Sequence, residues 1–119
     1  MEHYNEILLA PNLSIGYSTK KGNIVIAQDL NLHIYKGEMV CLLGPNGCGK
    51  STLIRTLAGM QNPLSGTISI ENEEISLQKI EVLATKMSVV LTEKVDIVNM
   101  QVFEMVALGR FPHTNWLGK

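Results

Sequence analysis

The chain predicts an α/β fold with an antiparallel β region ahead of its core, and three observations carry that prediction. Between residues 7 and 34, segments of strand length alternate with turn residues. Met39-Val40-Cys41-Leu42-Leu43 is an unbroken apolar run of strand length that leads directly into a glycine-rich stretch. Beyond that stretch, Thr52-Leu53-Ile54-Arg55-Thr56-Leu57-Ala58 suits a helix stopped by Gly59.

Taken in order, Ile7 to Leu9 reads as a strand, Pro11-Asn12 as a break and Leu13 to Tyr17 as a second strand. Polar Ser18 to Asn23 turns the chain, and Ile24 to Ala27 and Leu30 to Ile34 continue what resembles an antiparallel meander. Lys36-Gly37-Glu38 turns into the apolar strand. After the helix, Pro63-Leu64-Ser65-Gly66 is a turn and Thr67-Ile68-Ser69-Ile70 alternates with period two, which predicts another strand. Glu71 to Gln78 is polar and loop-like, Lys79 to Thr85 has room for a short helix, and Ser88-Val89-Val90-Leu91 reads as a buried strand. Val102, Met105, Val106 and Gly109 fall at helical spacing, and that helix would end at Gly109-Arg110 with Pro112 beyond. One domain or part of one is expected, with an antiparallel region over 1–38, a core over 39–91, and a loop with the start of a helical subdomain over 92–119.

The 119 residues suffice for a core but are few for an elaborated enzyme. With a formal charge of −1 and dispersed lysines and arginines, there is no basic face for counterion-driven nucleic-acid binding. The apolar runs are far shorter than a membrane span, and Met1-Glu2-His3-Tyr4-Asn5-Glu6 is unlike a secretory signal, so a cytoplasmic location is expected. A disulfide between Cys41 and Cys48 would distort the loop that carries Cys48, so both read as free thiols. His3, His33 and His113 show no metal-ligand spacing.

The chemistry is stated most directly by Gly44-Pro45-Asn46-Gly47-Cys48-Gly49-Lys50-Ser51, a complete G-x-x-x-x-G-K-[ST] phosphate-binding loop. Glycines at 44, 47 and 49 open backbone conformations closed to residues with a Cβ, so successive N–H groups can turn around a polyphosphate. Lys50 can reach the β and γ phosphates as a point charge, and the Ser51 hydroxyl is placed to ligate Mg²⁺. The helix that follows adds the positive end of its dipole.

From Leu13 to Pro112 the sequence resembles the first half of an ATP-binding-cassette ATPase, a phosphate-loop NTPase core with an antiparallel β subdomain. The resemblance lies in Leu30-Asn31-Leu32-His33-Ile34-Tyr35-Lys36-Gly37-Glu38 ahead of the loop, in Ser51 to Gly59 after it, and in Pro63-Leu64-Ser65-Gly66-Thr67-Ile68. It implies ATP and Mg²⁺ as ligands, Tyr17 stacked on adenine with Tyr35 as its competitor, and Thr52 against the α phosphate. Val102 to Pro112 looks most like cassettes that serve importers of iron chelates, haem and cobalamin. In the family this region receives the membrane permease, which implies a permease docked around Thr92 to Pro112, a second ATPase subunit, and a position on the inner face of the membrane.

Two departures from the family pattern stand out. After the strand matching Ser88 to Leu91 the family carries a glutamine near Mg²⁺ and the attacking water; here Thr92 follows, so the contact is lost, bridged by water or supplied by Glu93. The sequence also contains no Leu-Ser-Gly-Gly-Gln run and no apolar run ending in Asp-Glu. The expectation is therefore an amino-terminal portion, truncated before the signature and acidic motifs, that binds nucleotide better than it cleaves it. A non-hydrolysing nucleotide-binding module, or a soluble cassette protein acting on nucleic acid or ribosomes, is the alternative.

Overall fold

A computed structural model describes residues 5–90. The chain forms two compact units, Met1–Gln78 and Lys79–Lys119. In the first, strand β1 (Glu6–Thr19) pairs antiparallel with β2 (Gly22–Tyr35). Helix α1 (Lys50–Leu57) follows, then two short strands, β3 (Ser69–Ile70) and β4 (Glu73–Glu74). The sheet order is β2-β1-β3-β4, with every neighbouring pair antiparallel.

The four strand segments expected before residue 35 merge into two long strands. Breaks expected at Pro11-Asn12 and between Ala27 and Leu30 are β-bulges instead. Asn12 and Asp29 take positive φ, 50° and 57°, and the β1–β2 register shifts between Ala10 and Leu13 and again between Leu13 and Ile15. Asn and Asp tolerate the left-handed region, so one extra residue is absorbed without ending the ladder. The Asn12 N–H is satisfied across the ladder by the Asn31 side-chain oxygen at 3.0 Å.

Hydrophobic alternation sets which face of β1 goes inward. Ala10, Leu13 and Ile15 are buried and pack with Leu53 of α1 and Ile68, while Leu8, Ala27, Leu30, Leu32, Leu57 and Ile75 close the rim. A bridge from Ser14 to Ser65 fastens the turn at Pro63–Gly66 to β1, with the Ser14 N–H donating to the Ser65 carbonyl at 3.0 Å. Ile68 and Ile70 are buried, as the period-two pattern predicts. The stretch expected as loop, Glu71 to Gln78, makes a two-residue hairpin at Glu71-Asn72, both with positive φ, then a single 3₁₀ turn over Ile75–Leu77.

Helix α1 ends where Gly59 requires. Gly59 has φ 75°, its N–H donates to the Thr56 carbonyl at 3.1 Å, and the Met60 N–H donates to the Arg55 carbonyl at 2.9 Å. Both bonds of a Schellman cap are present, so the last carbonyls are satisfied and the chain reverses.

Two expected strands differ in the structure. Met39 to Leu43 has no ladder partner among the described residues, and Met39 and Leu43 are 92% and 88% exposed. The run expected at Ser88 to Leu91 has no assigned secondary structure over residues 88–90, and Val90 is 97% exposed; Leu91 lies outside the described residues. A continuous apolar run states a tendency to be buried on both faces. Pairing also needs neighbouring strands, which the described residues do not supply. In the second unit, α2 (Ile80–Lys86) forms where a short helix is expected. The loop at Thr92 and the helix expected over 102–112 lie outside the described residues.

Candidate functional site

The Gly44 to Ser51 loop runs from the exposed apolar segment into the first turn of α1. Two of its three glycines meet a conformational demand: Gly47 has φ 85°, and Gly49, the N-cap of α1, has φ 103°. Gly44 differs from the expectation. Its φ is not in the left-handed region, and a Cβ there would lie 2.7 Å from Cys48 Sγ, so it is small to let the loop fold over itself. A Cβ on Gly49 would lie 2.4 Å from Ile26 Cγ2, whereas one on Gly47 would meet nothing within 4 Å. The loop is thus backed by β2 at Gly49 and open at Gly47.

That opening is a cavity of about 310 Å³ lined by Tyr17, Ile26, Asn46, Gly47, Gly49, Lys50, Ser51, Thr52 and Arg55. Lys50 and Arg55 bring positive charge to its wall, and no carboxylate is among the lining residues. The dipole of α1 points its positive end into the same space, and the first turn of the helix contains no acidic residue to offset it. Lys50 Nζ donates to the Gly44 carbonyl, tying the end of the loop to its start. The Cys48 N–H donates to the Pro45 carbonyl at 3.3 Å, and the Leu53 N–H donates to the Gly49 carbonyl at 2.9 Å, the first bond of α1. Cys41 and Cys48 are free and exposed.

Tyr17, near the end of β1, is brought to this loop although 27 residues of sequence separate it from Gly44. Its hydroxyl lies 3.1 Å from Thr52 Oγ1. The Thr52 hydroxyl therefore faces the aromatic rather than its own backbone; the back-bonded threonine is Thr56, whose Oγ1 donates to the Thr52 carbonyl at 2.7 Å. Tyr35, at the far end of β2, is not in the cavity wall and stacks on His33 with ring centroids 6.5 Å apart. Of the residues expected from sequence, Tyr17, Asn46, Gly47, Gly49, Lys50, Ser51 and Thr52 line one space. Gly44, Pro45 and Cys48 shape the loop behind it, and Thr92 and Glu93 lie outside the described residues.

Ile26 and Arg55 were not anticipated. Arg55 was within reach of sequence reasoning, because it stands four residues after Ser51 and helical periodicity puts the two on one face. Ile26 gives no such signal, since its place depends on the shifted register of β1 and β2.

A family model described as ABC transporter matches residues 27–116. The chain is 43% identical over 95% of its length to an uncharacterized ABC transporter ATP-binding protein of Methanocaldococcus jannaschii, and covers 38% of that protein. It is 37% identical over 88% of its length to a probable siderophore transport system ATP-binding protein of Bacillus subtilis, covering 37% of it. Among solved structures, it superposes on the ATP-binding subunit of an ABC transporter with a TM-score of 0.76 and 28% identity, over 90% of this chain and 42% of that one. The chain thus spans about two fifths of the length of the proteins it matches. No helix among the described residues is long and apolar enough to cross a membrane.

Proposed function

As the chain belongs to the ABC transporter family, we propose that it forms the ATP-binding part of a transporter ATPase that energises import of an iron chelate, haem or cobalamin. The observation that carries the nucleotide site is the convergence of the phosphate loop, the start of α1 and Tyr17 on one cavity. Its chemistry suits a nucleoside polyphosphate: cationic at Lys50 and Arg55, open at Gly47, and bounded by an aromatic side chain at one side.

In this site Lys50 leaves the Gly44 carbonyl for the β and γ phosphates, exchanging a neutral acceptor for a charged one. Backbone N–H groups of the loop and the N-terminal end of α1 hold the remaining phosphate charge. Ser51 would hold Mg²⁺ through its hydroxyl, and the chemistry supplied there would be positive charge beside the phosphates. Thr52 would meet the α phosphate, and Tyr17 would stack on the base. Thr92 would lie near the γ phosphate.

The iron-chelate assignment is supported by the siderophore transport relative and by the likeness of Val102 to Pro112 to cassettes of that kind. A membrane permease, docked around Thr92 to Pro112, and a second ATPase subunit would be the partners, placing the protein on the inner face of the membrane. On its own the 119-residue chain would hold nucleotide with little turnover, since its sequence carries neither a Leu-Ser-Gly-Gly-Gln run nor an apolar run ending in Asp-Glu.

Calorimetric titration with ATP and Mg²⁺ tests the site, with saturable binding expected. Deleting the encoding gene tests the solute: growth should slow when a ferric chelate is the iron source and recover with a ferrous salt. Unimpaired growth on every chelate, haem and cobalamin would overturn the transport assignment.

A further inference from the structure

Tyr17 sits in the wall of the phosphate-loop cavity, paired with Ile24 near the end of the β1–β2 ladder, and two contacts from outside that ladder also hold it. Its hydroxyl meets Thr52 Oγ1 at 3.1 Å, and the peptide just before it is gripped from elsewhere. Gln61 Nε2 donates to the Gly16 carbonyl at 2.6 Å, across 45 residues of sequence.

Gln61 reaches Gly16 because the Schellman cap at Gly59 turns the chain back from the end of α1. Gly16 is buried and stands at a register shift between Ile15 and itself, where a bulge re-aims the next side chain. The approach is close on both sides: a Cβ at Gly16 would lie 2.0 Å from the Ile24 carbonyl oxygen and 2.9 Å from Leu64 Cδ1. Tyr17 is thus fixed at its tip by the first turn of α1 and at its root by the loop that leaves α1. Both anchors belong to the same helix-and-turn segment that follows the phosphate loop.

We propose that Gln61 is a positioning residue for nucleoside recognition, holding the Gly16–Tyr17 backbone so that the Tyr17 ring faces the space beside the phosphate loop. Resting on the nucleotide site proposed above, this role makes a distinction that a general structural role does not. Loss of the Gln61 donor loosens the aromatic wall and leaves the phosphate end intact, because Lys50, Ser51 and the loop backbone do not depend on it.

The test compares ATP with inorganic tripolyphosphate, which offers the phosphate chain without the nucleoside, on the full chain with Mg²⁺ present. In Gln61→Met, which keeps length and removes the donor, ATP affinity should fall about three- to tenfold, the range of one lost hydrogen bond. Tripolyphosphate affinity should not change. In a Tyr17→Ala background, Gln61→Met should cause no further loss, since the group it positions is gone. Gln61→Glu, of the same shape and without the donor at neutral pH, serves if Gln61→Met does not fold. Equal losses for ATP and tripolyphosphate, additive losses with Tyr17→Ala, or no loss at all would each overturn the assignment of Gln61. Failure of the underlying site is a separate result: the wild type would then bind ATP no better than tripolyphosphate, or Lys50→Ala would bind both as well as the wild type does.

Discussion

The hydroxyls of Tyr17 and Thr52 stand 3.1 Å apart, joining the end of β1 to the first turn of α1 across 35 residues of sequence. This bond closes one side of the phosphate-loop cavity and holds a 42%-exposed aromatic ring in its wall. Stacking on a flat ring is tolerant of the base, whereas phosphate capture is common to all nucleoside triphosphates. ATP and GTP are therefore expected to bind within a modest factor of each other, and Tyr17→Ala to weaken both by about 1–3 kcal/mol. Tyr17→Phe, which keeps the ring and loses the bond to Thr52, should fall between the wild type and Tyr17→Ala. Tyr35→Ala, altering a ring stacked on His33 away from the cavity, should leave binding unchanged. Fluorescent-nucleotide competition would check the series, and weakening by Tyr35→Ala alone would assign the aromatic role to the wrong strand end.

Lys50 carries the second prediction. A charge-assisted hydrogen bond to phosphate is worth about 1.5–3 kcal/mol, so Lys50→Ala should reduce ATP affinity at least about tenfold. Calorimetry with ATP and Mg²⁺ measures this, with circular dichroism to confirm that the variant folds. The fold should survive, because Lys50 is not in the buried core and its one described bond, to the Gly44 carbonyl, is local. A folded Lys50→Ala with wild-type affinity would mean that the glycine loop is only structural.

Gly49 links the loop to the sheet, and its replacement should be costly for two separable reasons. Alanine there faces φ 103°, and its Cβ would meet Ile26 Cγ2 at 2.4 Å. Shortening Ile26 to alanine relieves the second strain and not the first. Gly49→Ala should therefore lose ATP binding and lower Tm, and Gly49→Ala with Ile26→Ala should regain part of the stability without full affinity. Complete rescue of both would place all the cost in the contact with β2 and none in the backbone.

Much of the fold was legible wherever a residue type answers a local demand. Gly59 ends α1 because only a left-handed residue completes its cap, and the isoleucines at 68 and 70 face inward because strand side chains alternate. The turns at Gly47 and Gly49 were legible for the same reason, whereas the close approach at Gly44 was not. The bulges at Asn12 and Asp29 were not, since the residues that permit a bulge are also those that end a strand, and only the paired ladder decides between the two. The Tyr17–Thr52 and Gln61–Gly16 bonds depend on the β1–β2 register and on the reversal after α1, which no local pattern encodes. Met39 to Leu43 erred in the opposite direction: its composition states burial, while burial depends on strands elsewhere.

That run carries the last prediction. Met39, Val40, Leu42 and Leu43 are all exposed, and the segment has no ladder partner among the described residues. A run of exposed apolar side chains on backbone with free N–H and C=O groups is a template for pairing with another copy. The 119-residue chain in isolation is therefore expected to self-associate as its concentration rises, which sedimentation velocity over a hundredfold range would detect. Met39→Lys should suppress the association, because a charge on the run costs more to bury between copies than methionine gains. ATP affinity should be unaffected, since Met39 does not line the cavity. ATP turnover should stay near background in every associated state, as copies paired through this run supply no Leu-Ser-Gly-Gly-Gln loop to close over the γ phosphate. A monodisperse, cooperatively unfolding monomer would show that residues 39–43 find cover within one copy. Steady phosphate release that disappears in Lys50→Ala would show that a carboxylate of this chain, with Glu93 the first to substitute, positions the attacking water.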